Sequence, residues 1–316
     1  MLTAFSFENN RLVQHAVYDR SELTEAVLWV DLIRPTQEEQ DLIQEAYGQV
    51  LPTPDELSEI EASARCYEDE DGLHIHAYFL HDIDEDRPKT ITVAFTLNKG
   101  RLFTFHEEEL LPFRVFRMRA RRQPGYATDA LSILLGLFET NVERLADILE
   151  EMHAALESAN ELVFRTNEKD LRDFLGELTH VEDLNGKVRL SMMDGQRVLS
   201  YLLRHTVLSS MQELQLREIL ADIKSLLTHS SFLFEKVRFL LEATMGIINV
   251  EQNKIVKIFT VMALVFMPPT LIASIYGMNF QWIPELHWKF GYFYSLGLMV
   301  TSVALAFWFF RKKGWL

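Results

Sequence analysis

Two stretches near the C-terminal end limit the folds open to this chain more than any other feature. Residues 258–276 (IFTVMALVFMPPTLIASIY) run 19 positions without a charged side chain, and residues 290–310 (FGYFYSLGLMVTSVALAFWFF) run 21. A helix needs about 20 apolar residues to cross the hydrocarbon of a bilayer. Within that layer a backbone must satisfy its own polar groups, which an uninterrupted helix does. Core helices of a soluble protein are the competing reading, but the rest of the chain is densely charged. The two runs are read as transmembrane helices.

The 316 residues carry 31 Lys and Arg against 46 Asp and Glu, a net charge of −15. That average hides two unlike parts. From residue 254 onward six basic residues face one acid, Glu285, so the first 253 residues hold −20. An acidic body of this kind does not suit nucleic-acid backbones, which bind through Lys and Arg. The single cysteine, Cys66, excludes intrachain disulfides and thiolate zinc sites. A charged segment leading into an apolar core is not apparent at the N-terminus, so a cleaved secretory signal is not expected. Lys254 and Lys257 precede the first run and Arg311, Lys312 and Lys313 follow the second, whereas the segment between them has only Lys289. The positive-inside rule then puts both termini in the cytoplasm and the short segment outside. Trp282, Trp288, Tyr292 and Tyr294 near one boundary, and Trp308 and Trp315 near the other, fit interfacial belts.

The middle of the chain is patterned in heptads. One apolar stripe runs Leu131, Leu135, Phe138, Val142, Leu145, Leu149, Met152, Leu156, Ala159, Val163. A second runs Leu171, Phe174, Leu178, Val181, Asn185, Val188, Met192, Gly195, Leu199, Leu202. The short polar break Arg165–Lys169 predicts that the two helices fold back as an antiparallel hairpin over residues 126–205. A third stripe follows Ser209-Ser210 and reads Leu216, Leu220, Ile223, Leu227, Ser230, Phe234, Val237, Leu241, Thr244, Ile248. No breaker separates it from the first apolar run. The pattern predicts one helix over 211–276, roughly 100 Å long at 1.5 Å per residue, entering the membrane at about residue 256. Ser230 and Thr244 in its stripe call for partners, taken here as copies of the same helix.

Residues 1–125 read as an α/β domain with a partly antiparallel sheet. Val27–Asp31 is a strand candidate. Thr36 with Glu39 three positions on is a capping box opening a helix through about Tyr47, and Thr53, Pro54 and Glu56 repeat the device. Asp71-Gly72 and Asn98-Lys99-Gly100 sit between alternating runs and predict two β-hairpins. No phosphate-cradling glycine loop or nucleophile elbow is present. His74, His76 and His81, with eight acids between Glu68 and Asp86, form a candidate divalent-metal site. Two imidazoles on one strand do not make a site by themselves, and a solvated acidic hairpin with exposed histidines is the preferred reading. Arg114–Arg122 (RVFRMRARR) is the one basic cluster in the acidic body, expected to pair with neighbouring acids.

The segment between the two apolar runs, residues 277–289, is the most specific part of the chain. Gly277-Met278-Asn279-Phe280 follows Tyr276, then come Pro284-Glu285-Leu286, Trp288 and Gly291-Tyr292. These residues resemble the CorA family of magnesium and cobalt transport proteins, whose hallmark is a Gly-Met-Asn triplet at the outer end of the first of two C-terminal membrane helices. Met267-Pro268-Pro269-Thr270, the run Ile60-Glu61-Ala62-Ser63-Ala64-Arg65 and the tail ending Gly314-Trp315-Leu316 extend the resemblance over the whole chain.

The resemblance implies a homopentamer in the bacterial inner membrane, with the lipid bilayer as its surroundings and the first membrane helix lining a central pore. Asn253, Val256, Phe259, Ala263, Met267, Thr270 and Ser274 would line it, at helical spacing, and Gly277, Met278 and Asn279 would form the selectivity filter. Phe259 and Met267 would make narrow apolar rings, which as residues are equally accounted for by helix packing. Gly277 is expected to let the backbone turn out of the helix, Pro268 and Pro269 to bend it, and Glu285 to stand in the external loop. Transported Mg²⁺, with Co²⁺ as an alternative ion and Ni²⁺ as a further candidate, would pass hydrated, and cytoplasmic Mg²⁺ would bind carboxylates and hold the pore closed. Glu218 lies near that regulatory position, with Asp222 one turn on, and a solvated helix face is the alternative. A Zn²⁺ transporter of the ZntB type shares the topology, but Met278 and Pro284-Glu285-Leu286 favour CorA. A non-conducting membrane-tethered metal sensor would lack the polar stripe. No nucleophile–base pair or ligand set points to an enzyme.

Overall fold

The structure is a computed structural model that describes residues 1–52, 57, 61, 65–81, 89–163, 168–279 and 284–314. The second capping box at Thr53–Glu56, most of the run from Ile60 to Ala64, the acids Asp82, Asp84, Glu85 and Asp86 of the candidate metal site, the core of the polar break between the first two long helices, Phe280, Trp282 and Trp315 lie outside these residues. The strands are β1 (Leu2–Glu8), β2 (Arg11–Ala16), β3 (Val27–Ile33), β4 (Cys66–Asp69), β5 (Gly72–His81), β6 (Lys89–Asn98) and β7 (Arg101–His106). The helices are α1 (Gln37–Tyr47), α2 (Leu111–Arg122), α3 (Ala130–Val163), α4 (Glu168–His205), α5 (Ser210–Tyr276) and α6 (Gly291–Lys312), with 3₁₀ turns at Arg20–Glu22 and Pro284–His287. The chain divides into two compact units, Met1–Leu240 and Leu241–Leu316.

In the first unit the strands form one sheet in the order β2-β1-β3-β7-β6-β5-β4. All pairings are antiparallel except β3 with β7, whose link passes through the rest of the sheet. Both hairpins expected at Asp71-Gly72 and Asn98-Lys99-Gly100 are present, as is the Thr36–Glu39 capping box on α1. The β1–β2 hairpin is a finding that the pattern of residues 1–16 did not lead us to expect. It turns at Asn9-Asn10, both at positive φ, which asparagine tolerates better than most side chains.

Alternate side chains divide the two faces of the sheet. Ala4, Val30, Leu32 and Phe103 pack with Ile43 of α1 on one face. On the other, Phe5 stacks on Trp29 at 4.3 Å, and Phe79, Phe95, Phe113, Phe116 and Phe138 join them from the sheet, α2 and α3. Burial of several large rings, at roughly 25 cal/mol per Å² of apolar area, dominates the stability of this unit.

That aromatic layer surrounds a polar knot. The Trp29 indole donates to Thr104 Oγ1 at 2.9 Å, and the Thr104 hydroxyl donates to Asp31 Oδ1 at 2.6 Å. His106 Nε2 lies 2.9 Å from the same oxygen and Arg117 Nη1 donates to Asp31 Oδ2 at 3.0 Å. Burial alone would raise the Asp31 carboxyl, but His106, Arg117 and Thr104 outweigh it and hold it below the usual carboxylate range. Of the basic cluster on α2, Arg117 is thus paired with Asp31 and Glu109, and Arg119 with Glu143 at 2.6 Å.

The other end of the sheet is closed by α4. β4 covers β5 only as far as Ile75. Beyond it, the Tyr78 N–H donates to Asp194 Oδ2 at 2.9 Å and Ser191 Oγ donates to the Tyr78 carbonyl at 2.6 Å. A side chain pair from α4 therefore takes the open edge groups that would otherwise invite another strand. Arg65, buried over the Tyr78 ring at 3.8 Å, lies 3.4 Å from Asp194. Burial pushes the Asp194 carboxyl above its ordinary value against the pull of Arg65, the Tyr78 N–H and Arg197. Cys66, next to this pair, is buried and its thiol is pushed up to about 11, which leaves it inert.

His74 and His76 are buried, contrary to the exposed hairpin expected of them. The Tyr67 ring of β4 lies against both imidazoles, at 4.7 and 6.4 Å between centroids, so that face of β5 is not open to water. His74 bridges Asp69 Oδ1 (3.0 Å) and Thr96 Oγ1 (3.2 Å) and stacks on Tyr67. Among the described residues no three His, Cys, Asp or Glu side chains are grouped to hold a metal.

The two heptad stripes of α3 and α4 are buried as expected, from Leu135 to Ala159 and from Phe174 to Leu202. α5 begins with a reciprocal cap: Gln212 N–H donates to Ser209 Oγ (3.3 Å) and Ser209 N–H to Gln212 Oε1 (3.0 Å). Gln212 also donates to both Asp129 oxygens at the start of α3. The buried face of α5 differs from the expected stripe. Leu216, Ile223, Ser230 and Val237 are buried, but the residues that join them in the buried row are Ile219, Leu233 and Leu240, while Leu220 and Leu227 are half-buried and Phe234 is exposed. The helix turns its adjacent row toward α3 and α4 of its own chain. Ser230 finds its partner there too: its hydroxyl donates to Asn185 Oδ1 at 2.9 Å.

Candidate conduction pathway

α5 and α6 each contain a stretch long and apolar enough to cross a membrane, and almost none of either stretch is buried in the structure. In a water-soluble fold such helices would cover a core. Here they present their side chains outward, as lipid or further protein requires.

Asn253, Val256, Phe259, Ala263, Met267, Thr270 and Ser274 are all exposed on α5. At about 100° per residue they fall within roughly a third of the helix circumference. Pro268 and Pro269 lie inside α5 and cannot donate to the carbonyls of Leu264 and Val265. Next to this gap the Thr270 hydroxyl donates to the Phe266 carbonyl at 2.8 Å, and nearly three turns earlier Thr260 does the same to Val256. Such back-bonding gives these polar side chains a partner inside the helix.

The end of α5 differs in one respect from expectation. Gly277 does not adopt a positive φ. Its N–H donates to the Ala273 carbonyl at 2.9 Å, so it continues the helical ladder, and Met278 N–H tightens it with a bond to Ile275. A side chain at 277 would sit 3.1 Å from the Ala273 carbonyl oxygen. Glycine is used here for close approach to the last turn rather than for left-handed backbone. Met278 and Asn279 follow as exposed residues.

The turn Pro284–His287 leads into α6. Trp288 N–H donates to the Glu285 carbonyl and Gly291 N–H to the Trp288 carbonyl, both at 3.2 Å. The Trp288 ring meets Tyr294 edge-on at 6.0 Å, and Glu285 is half-buried. At the far end of α6, Lys312 lies over the Trp308 ring at 5.2 Å, an amphipathic pairing suited to a membrane interface.

In the first unit, Glu218 and Asp222 are exposed one turn apart on α5. Asp222 lines a groove between α3 and α5 with Glu139, Glu143 and Ser225, whereas Glu218 does not line it. Glu143 is paired with Arg119, and Glu139 accepts from Gln215 at 2.7 Å. The two acids of this groove on α3 carry no heptad signal, because they occupy the polar flank of the stripe.

Residues 24–312 match the family model described as CorA-like Mg2+ transporter protein. The chain belongs to the CorA family. Among curated relatives, the proteins named magnesium transport protein CorA from Pasteurella multocida and from Escherichia coli K12 are each 48% identical over the full length of both chains. Among solved structures, the CorA magnesium transporter from Methanocaldococcus jannaschii has a TM-score of 0.79 at 20% identity, covering 100% of this chain and 99% of its own. The cytoplasmic domain of ZntB from Vibrio parahaemolyticus has a TM-score of 0.60 at 11% identity, over 78% of this chain and 97% of its own. These last two likenesses speak for the fold: a sheet domain, long helices and, in the first, two C-terminal apolar helices.

Proposed function

We propose that this CorA-family chain conducts Mg²⁺ into the cell across the bacterial inner membrane, as a homopentamer whose copies of α5 line the pore. The observation that carries this reading is the pairing of full-length 48% identity to magnesium transport proteins with an intact Gly277-Met278-Asn279 triplet at the end of an outward-facing apolar helix. The exposed row from Asn253 to Ser274 supplies polar groups at both ends and the apolar Phe259 and Met267 between them, where a narrow ring can gate by dewetting. Both termini lie in the cytoplasm in this reading, with residues 277–289 outside, following the distribution of Lys and Arg.

Mg²⁺ surrenders its water shell reluctantly. A ring of Asn279 amides can hydrogen-bond to that shell and hold the hydrated ion without stripping it, and a neutral ring releases the ion more readily than a carboxylate ring. Entry is favoured by the membrane potential, at ~2.3 kcal/mol per charge per 100 mV. Co²⁺ and Ni²⁺, of similar hydration, are the alternative cargo. Cytoplasmic Mg²⁺ bound at Glu218 and Asp222, between neighbouring subunits, relieves like-charge repulsion and favours the closed arrangement.

The test is Mg²⁺ flux into liposomes holding the purified protein, with Co²⁺ and Zn²⁺ as competitors. Asn279→Ala and Asn279→Asp are expected to abolish uptake while leaving assembly intact. Wild-type uptake by either variant would sink the filter assignment, and Zn²⁺ flux without Mg²⁺ flux would replace the cargo.

A further inference from the structure

We propose that Gly291 is a positioning residue for Glu285, and that the absence of a side chain at 291 sets how well the external mouth captures the ion. The proposal rests on the conduction reading, which places residues 277–289 outside.

The geometry is local to the start of α6. A Cβ built on Gly291 would overlap the Glu285 carbonyl oxygen and come within 3.7 Å of the Trp288 side chain. The obstructing atom belongs to the backbone, so no rotamer change relieves it. The same carbonyl accepts the Trp288 N–H, and the Trp288 carbonyl accepts the Gly291 N–H. Glu285, Trp288 and Gly291 thus form one hydrogen-bonded staircase that seats the 284–287 turn directly on the first turn of the helix. Gly291 is buried, as is Ser295 one turn on, although most of the helix they begin is exposed. Its φ is not in the left-handed region, so it is required for space and not for backbone freedom. Gly297, two turns on, has nothing within 4 Å of its own built Cβ.

Glu285 is the single acid after residue 253. One carboxylate per subunit, repeated around an assembly, makes a focused negative field that concentrates divalent cations. Such a field depends on all copies holding one geometry. A methyl group at 291 must lift the turn off the helix and loosen that ring.

The experiment uses the full-length protein in liposomes, reading Mg²⁺ flux against external Mg²⁺ concentration. Gly291→Ala should raise the half-saturating concentration ~3-fold or more, with the maximal rate within about twofold of wild type, because the filter and pore are untouched. Gly297→Ala should leave both unchanged. Glu285→Gln should raise half-saturation in the same way, and adding Gly291→Ala to it should produce no further shift. Trp288→Ala, which removes the ring packed on Tyr294 without adding an atom, should move half-saturation in the same direction and covers the case in which Gly291→Ala does not assemble. Unchanged half-saturation in both Gly291→Ala and Trp288→Ala, or full additivity with Glu285→Gln, overturns the proposal. A readout independent of flux separates it from the conduction reading. Labelling of Glu285→Cys by a charged thiol reagent from outside should speed up ~3-fold or more when Gly291→Ala is added, against a background in which Cys66 is buried. If the wild type carries no flux, conduction fails on its own; an unchanged labelling rate then overturns the positioning role, and a faster one upholds it.

Discussion

Asn185 and Ser230 close a two-bond ring between α4 and α5. The Ser230 hydroxyl donates to Asn185 Oδ1 at 2.9 Å and the Asn185 amide donates to the Ser230 carbonyl at 3.1 Å, with both residues buried. Nearby, Arg189 Nη1 donates to Ser231 Oγ at 2.7 Å, which strengthens the same crossing. A polar pair inside two apolar stripes costs stability in exchange for register, since sliding α5 by one turn would strand both groups.

That arrangement gives unequal expectations for single and double replacement. Ser230→Ala removes the donor to a buried amide oxygen and should cost about 1–3 kcal/mol. Asn185→Leu should cost a similar amount. The double variant should lose less than the sum of the two, because no side-chain amide is left unsatisfied. Thermal unfolding of the detergent-solubilised protein measures all three. Strict additivity would show that the pair is not coupled.

The same two residues show how far the sequence could be read. Asn185 and Ser230 were visible as polar interruptions of regular stripes, so the need for a partner was legible, but the identity of the partner was not. Heptads report a face, not what lies against it. For α5 even the face was ambiguous, because Leu220 and Ile219, or Phe234 and Leu233, are adjacent rows of equal hydrophobicity, and only packing against α3 and α4 selects between them. Capping residues were more informative: Thr36 and Glu39 marked the start of α1 because the device is local. The β1–β2 turn at Asn9-Asn10 was missed for want of a glycine, and the burial of His74 and His76 because alternation reports which face a side chain is on and not that a ring such as Tyr67 covers it. In the candidate pathway the Gly277-Met278-Asn279 triplet and Glu285 were legible as a resemblance. The space requirement at Gly291 was not, since it arises from the approach of a backbone carbonyl six residues away.

Asp31 supplies a pH-dependent prediction. Its carboxyl titrates lower in the folded chain than the ordinary value of about 3.9. Its contribution to stability is therefore fully present above pH ~4 and is lost as pH falls through the depressed folded value. Asp194, raised in the fold, acts in the opposite sense, and its contribution is lost as pH rises from ~4 through its folded value. Asp31→Asn breaks a buried network with His106 and Arg117 and should cost about 3–5 kcal/mol at neutral pH. The deficit relative to wild type should hold steady down to about pH 4 and shrink between pH ~4 and pH ~3, in thermal unfolding followed by near-UV circular dichroism. A deficit that stays constant from pH ~4 down to pH ~3 would mean that the Asp31 charge is not what the network stabilises.

The regulatory assignment separates two residues one turn apart. Glu218 and Asp222 repel across i, i+4 by a few tenths of a kcal/mol, and a divalent ion shared with a neighbouring copy would reverse that. Only Asp222 lines the α3–α5 groove, where Glu143 already has Arg119 and Glu139 already has Gln215. An ion held within one chain by that groove would depend on Asp222 and Glu139 and be indifferent to Glu218. An ion held between copies would depend on the outward-facing Glu218 at least as much. Protection of the full-length protein from limited proteolysis, followed against Mg²⁺ concentration, distinguishes them. Glu218→Lys should raise the protective concentration on the order of tenfold, the equivalent of 1.4 kcal/mol, and Asp222→Lys should do the same. If Glu218→Lys leaves Mg²⁺-dependent protection unchanged, the regulatory role of that residue fails. If Asp222→Lys alone abolishes protection, the ion sits within the chain and its effect on the pore must be carried by α5 itself.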